Sequence, residues 1–232
     1  MYSRSVSFLR RVRRRQVLLA IFVLFVVGFM AVNVVAYMQA RSMTHFISNG
    51  ERTRPPESLG LLGKIEVLFV GVRIPRPING VTPASVGLAF ETFRFGGAGG
   101  DDCEAWFIRA ENPKGLCLAF HSYASSKSSL LDAARAFHEL GYDVLMVDFR
   151  GSGGSRVDDT TIGYREADDV VAAVRFASGR WPGESQVLFG QSMGGAAILR
   201  AVADLNVRPS AAIIESTYDR MLSTVENRFH AM

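Results

Sequence analysis

The hydrophobic positions of this 232-residue chain divide it into stretches of different character. One uninterrupted apolar run comes first, and an irregular stretch rich in Arg, Pro and Gly follows it. Short β-rich runs then alternate with amphipathic, alanine-rich segments, the periodicities of strands and helices. We therefore expect a basic tail at 1–16, a transmembrane helix at 17–38, a stalk at 39–86 and a globular domain at 87–232.

The apolar run at 17–38 has Asn33 as its only strongly polar side chain. As a helix it would extend about 33 Å, which is enough to cross a bilayer once. Six arginines lie among the first fifteen residues, a distribution that places the N-terminus in the cytoplasm and the domain on the periplasmic or extracytoplasmic side of the cell membrane. A cleaved signal peptide is the alternative, but the apolar run is longer than such a peptide needs.

The formal net charge of +4 comes from this N-terminal arginine cluster. The remainder of the chain is slightly acidic, so we expect no nucleic-acid partner. The only two cysteines, Cys103 and Cys117, have neither the spacing nor the neighbouring histidines of a metal site, and we expect no metal and no cofactor. A disulfide between them is one interpretation, but both lie in strand-like runs, which favours buried core thiols.

Six strands and four helices are predicted in the domain. The first two strands flank a glycine-rich stretch at 96–102, which indicates an antiparallel hairpin, whereas the later strands follow helices, as parallel pairing requires. We expect an α/β fold with a mostly parallel sheet, an antiparallel first hairpin and helices on both faces. The predicted strands are 88–95, 105–110, 116–121, 144–148, 186–190 and 211–215, and the predicted helices are 128–140, 164–178, 193–205 and 218–230.

Residues 190–194, with the sequence Gly-Gln-Ser-Met-Gly, lie between a predicted strand and a predicted helix. Gly-x-Ser-x-Gly in that position is typical of a nucleophile elbow, in which the serine occupies a strained turn and exposes its hydroxyl above the sheet edge. The following helix directs its N-terminal N–H groups to the same place, which favours the negative charge of a tetrahedral intermediate. Ser192 is therefore the candidate nucleophile. A glycine-rich turn with a capping serine is the alternative.

Two further segments, together with the elbow, resemble the α/β-hydrolase family over about 87–232. A strand that ends in His-Ser-Tyr at 121–123 is similar to the family's His-Gly-x segment, and residues 148–155 are similar to its Asp-x-Arg-Gly-x-Gly-x-Ser loop. The resemblance implies an α/β-hydrolase core whose oxyanion hole is formed by the backbone amides of Tyr123 and Met193. It also implies a structural role for His121.

The same resemblance bears on the catalytic acid and base. In the family the order along the chain is Ser, then Asp or Glu, then His, and the last two usually follow the seventh and eighth strands. Because six strands are predicted, we expect a C-terminally truncated domain with impaired activity. The alternative within the chain is Asp219 as the acid and His230 as the base, but His230 would have to fold back across the sheet to reach Ser192.

These features predict a membrane-anchored serine hydrolase that acts on carboxylic esters or related acyl compounds through an acyl-enzyme on Ser192. A small-molecule or lipid-like ester is the expected substrate, and residues 17–38 provide the expected contact with the membrane. Serine peptidases, thioesterases, lipases and acyltransferases share this core, so the sequence does not distinguish among these activities. A noncatalytic, membrane-tethered binding or scaffold module is the alternative from another class, because a fold alone does not establish turnover.

Overall fold

A computed structural model describes residues 2–97 and 102–230, apart from the side chains of 2–13, 56, 225 and 228–230. The chain forms two compact units, which we call the helical unit and the sheet unit. The helical unit comprises Met1–Met43 and Thr53–Val72, and the sheet unit comprises Thr44–Arg52 and Arg73–Met232.

The helical unit contains α1 (Tyr2–Thr44) and α2 (Leu61–Val70). The stretch Arg14–Thr44 of α1 has a mean hydropathy of 2.8 and an apolar window with no buried residue, so its length and composition allow it to cross a membrane. The second helix was not expected, since its residues fall within the predicted stalk. It ends at Gly71, whose φ of +93° lies in the region that favours glycine and whose N–H donates to the carbonyl of Val67.

The sheet unit is built on one six-stranded sheet with the order β1-β2-β4-β3-β5-β6. β1 pairs antiparallel with β2 and β2 with β4, and the other neighbours are parallel. This confirms the predicted mostly parallel sheet with an antiparallel first hairpin, although part of the hairpin turn, 98–101, lies outside the described residues. The strands are Glu91–Gly96, Asp102–Ile108, Leu116–Phe120, Asp143–Val147, Gln186–Gln191 and Ala211–Glu215.

Helices cover both faces of this sheet, as predicted. Along β3, alternate side chains enter two apolar clusters, with Leu118 on one face and Cys117 on the other. The first cluster includes residues of α4 and α5, and the second includes residues of α3. Cys103 belongs to the first cluster, so the two cysteines lie on opposite faces as buried thiols that do not form a disulfide with each other. The helices are α3 (Leu131–Glu139), α4 (Glu166–Arg180), α5 (Met193–Asp204) and α6 (Met221–His230).

Two parts of the predicted stalk, residues 44–52 and 73–86, lie in the sheet unit. Phe46 and Ile74 are buried there, and the N–H of Phe46 donates to the carbonyl of Asp158 at 2.9 Å. The carbonyl of Pro77 accepts a hydrogen bond from the N–H of Gly153 at 2.9 Å. These residues pack on the sheet unit because their apolar side chains find buried positions, which the high Pro and Gly content of the segment does not indicate.

Candidate active site

Ser192 connects β5 directly to α5, with φ of +51° and ψ of −110°. Few residues other than glycine adopt positive φ, and such strain concentrates at functional sites. The turn is held by hydrogen bonds from the neighbouring strand β6 and the residues after it. The N–H of Ser192 donates to the carbonyl of Glu215 at 2.8 Å, and the carbonyl of Ser192 accepts from the Thr217 hydroxyl at 2.8 Å.

The glycines of the elbow are required by close approach of the backbone. A Cβ on Gly190 would lie 2.6 Å from the carbonyl carbon of Gly194, and one on Gly194 would lie 2.3 Å from the carbonyl oxygen of Phe120. Both distances are shorter than any Cβ contact that a folded protein tolerates. The absence of side chains therefore lets α5 begin directly above the sheet, against the end of β3.

This packing brings the two predicted oxyanion-hole segments to the same edge of the sheet. Met193 is the first residue of α5, where backbone N–H groups have no partner within the helix. Gly194 touches the carbonyl oxygens of Phe120 and His121, immediately before the turn that carries Tyr123. Tyr123 is half-buried, and burial raises the pKa of its hydroxyl to about 12.

His121 holds this turn in place and is not arranged as a base. Its Nδ1 donates to the carbonyl of Ser122 at 2.8 Å, and its Nε2 accepts from the N–H of Phe149 at 3.1 Å. Both ring nitrogens are thus engaged by backbone groups. Complete burial lowers the pKa of the ring, so the neutral imidazole is the stable form.

A chain of polar side chains beside the elbow was not predicted from the sequence. The hydroxyl of Ser122 donates to Oε1 of Gln191 at 3.2 Å, and Nε2 of Gln191 donates to Oε2 of Glu215 at 3.1 Å. It joins the turn after β3 to the end of β6 across the elbow. The sequence did contain a signal for this chain of side chains. Ser122 replaces the glycine of the family's His-Gly-x segment, and the polar residue Gln191 directly precedes Ser192.

The glycine-rich loop at 148–155 is fixed by buried charges. The Asp148 carboxylate accepts from the N–H of Lys127 and the N–H of Gly154, both at 2.8 Å, and forms an ion pair with the Lys127 ammonium. Burial opposes ionisation, but the Lys127 charge prevails and holds the pKa of Asp148 below its usual value. The Arg150 guanidinium donates to the Asp169 carboxylate at 3.0 and 2.8 Å, and the backbone N–H of Arg150 donates to it at 3.2 Å.

The predicted acid and base are not joined to Ser192 by contacts in the described part of the chain. Asp219 is exposed, and its Oδ1 accepts from the N–H of Arg220 at 2.7 Å. His230 is the last residue of α6, and its side chain lies outside the described residues. Among the side chains that the structure describes, no hydrogen bond joins a histidine ring to Ser192 and no group of three potential metal ligands occurs.

Residues 111–221, which contain the elbow and the segments packed against it, match the family model described as serine aminopeptidase, S33. The chain has the α/β-hydrolase fold. The esterase Pf2001 of Pyrococcus furiosus superposes with a TM-score of 0.59 at 22% identity, covering 68% of this chain and 65% of the esterase. A thermostable carboxyl esterase of Bacillus coagulans gives 0.51 at 21% identity, covering 62% and 51% of the two chains. At these identities the superpositions establish the fold.

A curated relative of the chain is the uncharacterised protein YfhR of Escherichia coli O157:H7. The two are 28% identical over 145 residues, which cover 60% of this chain and 50% of YfhR. The chain thus spans about half the length of this curated relative, and just under two thirds of the Pyrococcus esterase. Together with the family model, these matches support a hydrolase function in general.

Proposed function

We propose that this α/β hydrolase is a serine hydrolase that cleaves carboxylic esters or related acyl compounds through an acyl-enzyme on Ser192. The observation that carries the proposal is the conformation of Ser192, a non-glycine residue at φ +51° between a strand and a helix. Such a conformation costs about 1–3 kcal/mol. A turn that served packing alone would relieve this cost with glycine, whereas a nucleophile needs the side chain.

In the proposed reaction, Oγ of Ser192 attacks the acyl carbon and transfers its proton to a base. The carbonyl oxygen becomes an oxyanion, which the N–H groups of Tyr123 and Met193 stabilise as hydrogen-bond donors. Collapse of this intermediate breaks the bond to the leaving alcohol, which takes up the proton from the base. Water then attacks the acyl-enzyme in the same way, releasing the acid and restoring Ser192.

The proton acceptor proposed within these residues is His230, oriented by Asp219. His121, whose carbonyl oxygen lies beside Gly194 of the elbow, has both ring nitrogens engaged by backbone groups. His138 lies on α3, with Nε2 hydrogen-bonded to the carbonyl of Arg109. If none of these histidines acts as the base, Ser192 retains only a small part of its catalytic rate, because the oxyanion hole alone contributes only a fraction of serine catalysis.

The test is labelling of the full chain, in detergent, with a fluorophosphonate probe that reacts with activated serines. We expect labelling of the wild type and none of Ser192→Ala, with circular dichroism showing that both are folded. Equal labelling of Ser192→Ala would exclude the proposal. Loss of labelling in His230→Ala but not in His138→Ala would support His230 as the base, whereas unchanged labelling would exclude it.

Peptide hydrolysis is a second candidate, favoured by the description of the matching family model as serine aminopeptidase. Ester and amide substrates with the same acyl group separate the two functions. Faster turnover of p-nitrophenyl esters than of aminoacyl p-nitroanilides, by more than their intrinsic difference in reactivity, would favour the esterase. A folded chain that neither reacts with the probe nor turns over either substrate would favour the noncatalytic binding or scaffold module.

We further propose that α1 anchors the hydrolase in the cell membrane, with the N-terminus in the cytoplasm and the sheet unit on the periplasmic or extracytoplasmic side. The apolar stretch within Arg14–Thr44 and the arginines that precede it support this orientation. Protease digestion of intact and of permeabilised cells tests it. Digestion of the sheet unit in cells whose cell membrane is still intact would support the proposed orientation. Protection of the sheet unit from the protease in those cells would indicate the opposite orientation.

A further inference from the structure

The helix α2 (Leu61–Val70) exposes apolar side chains on every side. None of its residues is buried, and Leu62 and Leu61 are 83% and 76% exposed. Its two charged residues, Lys64 and Glu66, are two positions apart, so they lie on nearly opposite sides and do not form a polar face. A helix that is apolar all round requires an apolar environment, from a protein core or from lipid.

The described residues of the helical unit supply no such core, but they attach α2 to α1 at a definite level. Nε2 of Gln39 donates to the carbonyls of Val67 and Leu68, both at 2.7 Å. Gly71, the residue after α2, lies so close to Ser42 that a Cβ would be 2.2 Å from its hydroxyl oxygen. The C-terminal end of α2 therefore contacts α1 at Gln39 and Ser42, just beyond the apolar run at 17–38 that is predicted to span the membrane.

These hydrogen bonds satisfy two of the backbone carbonyls that lipid would leave unsatisfied. The last carbonyls of a helix have no partner within it, and an unpaired carbonyl costs several kcal/mol in hydrocarbon. Gln39 caps two of these carbonyls in α2, and the N–H of Gly71 donates to the carbonyl of Val67. In water the same groups would be solvated without a side chain dedicated to them.

The length of α2 limits how it enters lipid. Ten residues extend about 15 Å, half of a hydrocarbon core of about 30 Å, so α2 cannot cross a bilayer. Lys64 and Glu66 carry flexible side chains that can reach the headgroups from within one leaflet. The geometry thus fits insertion into the leaflet where the apolar stretch of α1 ends.

We propose that α2 is a second membrane contact of this hydrolase, inserted into one leaflet of the lipid bilayer beside the C-terminal end of the α1 span. The inference rests on the proposed anchoring of α1 and adds a surface that holds the chain at the bilayer through two elements. The proposed membrane contact gives a function to α2, which lies in the segment that the sequence pattern predicted to be a stalk. A second copy of the chain on α2 is the competing occupant.

The test places an environment-sensitive NBD fluorophore at matched, exposed leucines. Leu62→Cys reports on α2, Leu24→Cys on α1 and Leu140→Cys on the sheet unit, and the native cysteines are buried and so protected from the label. Each labelled full chain is reconstituted in phosphatidylcholine and phosphatidylglycerol vesicles, with or without lipids that carry a doxyl quencher on the acyl chain. We expect quenching at positions 62 and 24 to exceed that at position 140 several-fold.

Each pattern of quenching gives a decision. Quenching at position 24 but not at position 62 overturns the inference while leaving the α1 anchor in place. Background quenching at both positions overturns both proposals. A blue-shifted emission at position 62 that doxyl lipids do not quench would show a protein partner on α2, and it would also overturn the inference.

Discussion

The backbone N–H of Ser192 donates to the carbonyl of Glu215, at 2.8 Å, and so ties the candidate nucleophile to the end of β6. The opposite side of the elbow packs on β3, where Gly194 touches the carbonyl of Phe120. The strained turn is therefore fixed between two parallel strands that flank β5. Any change that separates the elbow from either strand should reduce the reactivity of Ser192 before it unfolds the sheet unit.

The first prediction concerns Gly194→Ala. The new Cβ would lie 2.3 Å from the carbonyl oxygen of Phe120, so α5 must move away from β3. Overpacking of this kind costs about 1–3 kcal/mol, and the displacement also misplaces the N–H of Met193. We expect a lower Tm and loss of most fluorophosphonate labelling, measured by thermal unfolding and by the labelling rate of the full chain.

Gly179→Ala is the matched control for this substitution. Gly179 lies in α4, where a Cβ would meet nothing within 4 Å. Replacement of a helical glycine by alanine stabilises by about 0.5–1 kcal/mol, so we expect a slightly higher Tm and unchanged labelling. Equal effects of the two alanines on labelling would contradict the close packing of the elbow.

The second prediction concerns the side chain that joins Ser122 to Glu215. Gln191→Ala removes both hydrogen bonds and frees the turn that carries Tyr123, without opening a buried cavity because Gln191 is half-exposed. We expect labelling to slow by about tenfold, which corresponds to about 1.4 kcal/mol, with little change in Tm. Gln186→Ala, at the other end of β5, should leave the labelling rate unchanged; slowing by both alanines alike would argue against a positioning role.

The central strands could be predicted from the sequence because burial on both faces makes them continuous apolar runs. The strand predicted at 116–121 is observed at Leu116–Phe120, and that predicted at 144–148 is observed at Asp143–Val147. The elbow was equally predictable, since its glycines and serine are adjacent in the chain. The first strand was placed too early, because Leu88 and Phe90 pack on an apolar cluster without pairing.

Features that depend on distant residues could not be read from local patterns. The last helix begins at Met221, not at 218, because Thr217 and Tyr218 bond to the carbonyls of Ser192 and Ile162. These partners are 25 and 56 residues away in the chain. The position of β4 between β2 and β3 in the sheet has the same origin, because contacts between distant segments decide it.

The third prediction concerns the buried ion pair of the glycine-rich loop. The side chains of Arg150 and Asp169 are both about 1% exposed, and the guanidinium of Arg150 donates two hydrogen bonds to the carboxylate of Asp169. Asp169→Asn leaves the arginine charge buried without its counter-charge, which costs about 3–5 kcal/mol. Urea unfolding should show this loss. The partly exposed pair of Arg200 with Asp204 provides the control: Asp204→Asn should change stability by less than about 1 kcal/mol.

The fourth prediction is a pH dependence that arises from His121. Burial lowers the pKa of His121 in the folded state below its ordinary value of 6.5. As the pH falls below 6.5, the unfolded chain binds a proton that the folded chain does not, so stability decreases with a slope of up to about 1.4 kcal/mol per pH unit. Above 6.5 this contribution is constant. Urea unfolding between pH 8 and pH 5 measures it.

The variant His121→Gln isolates the contribution of this one ring. Glutamine does not titrate, and it leaves the N–H of Phe149 poorly paired, so we expect the variant to be about 1–3 kcal/mol less stable than the wild type at pH 8. The difference should narrow as the pH falls below 6.5, because only the wild type then loses the histidine contribution. His138→Gln, at a partly exposed position on α3, is the matched histidine control, and it should not reproduce this narrowing of the stability difference. A difference for His121→Gln that stays constant down to pH 5 would mean that His121 is protonated in the folded state, and that Nε2 is not the acceptor that holds the turn before Tyr123.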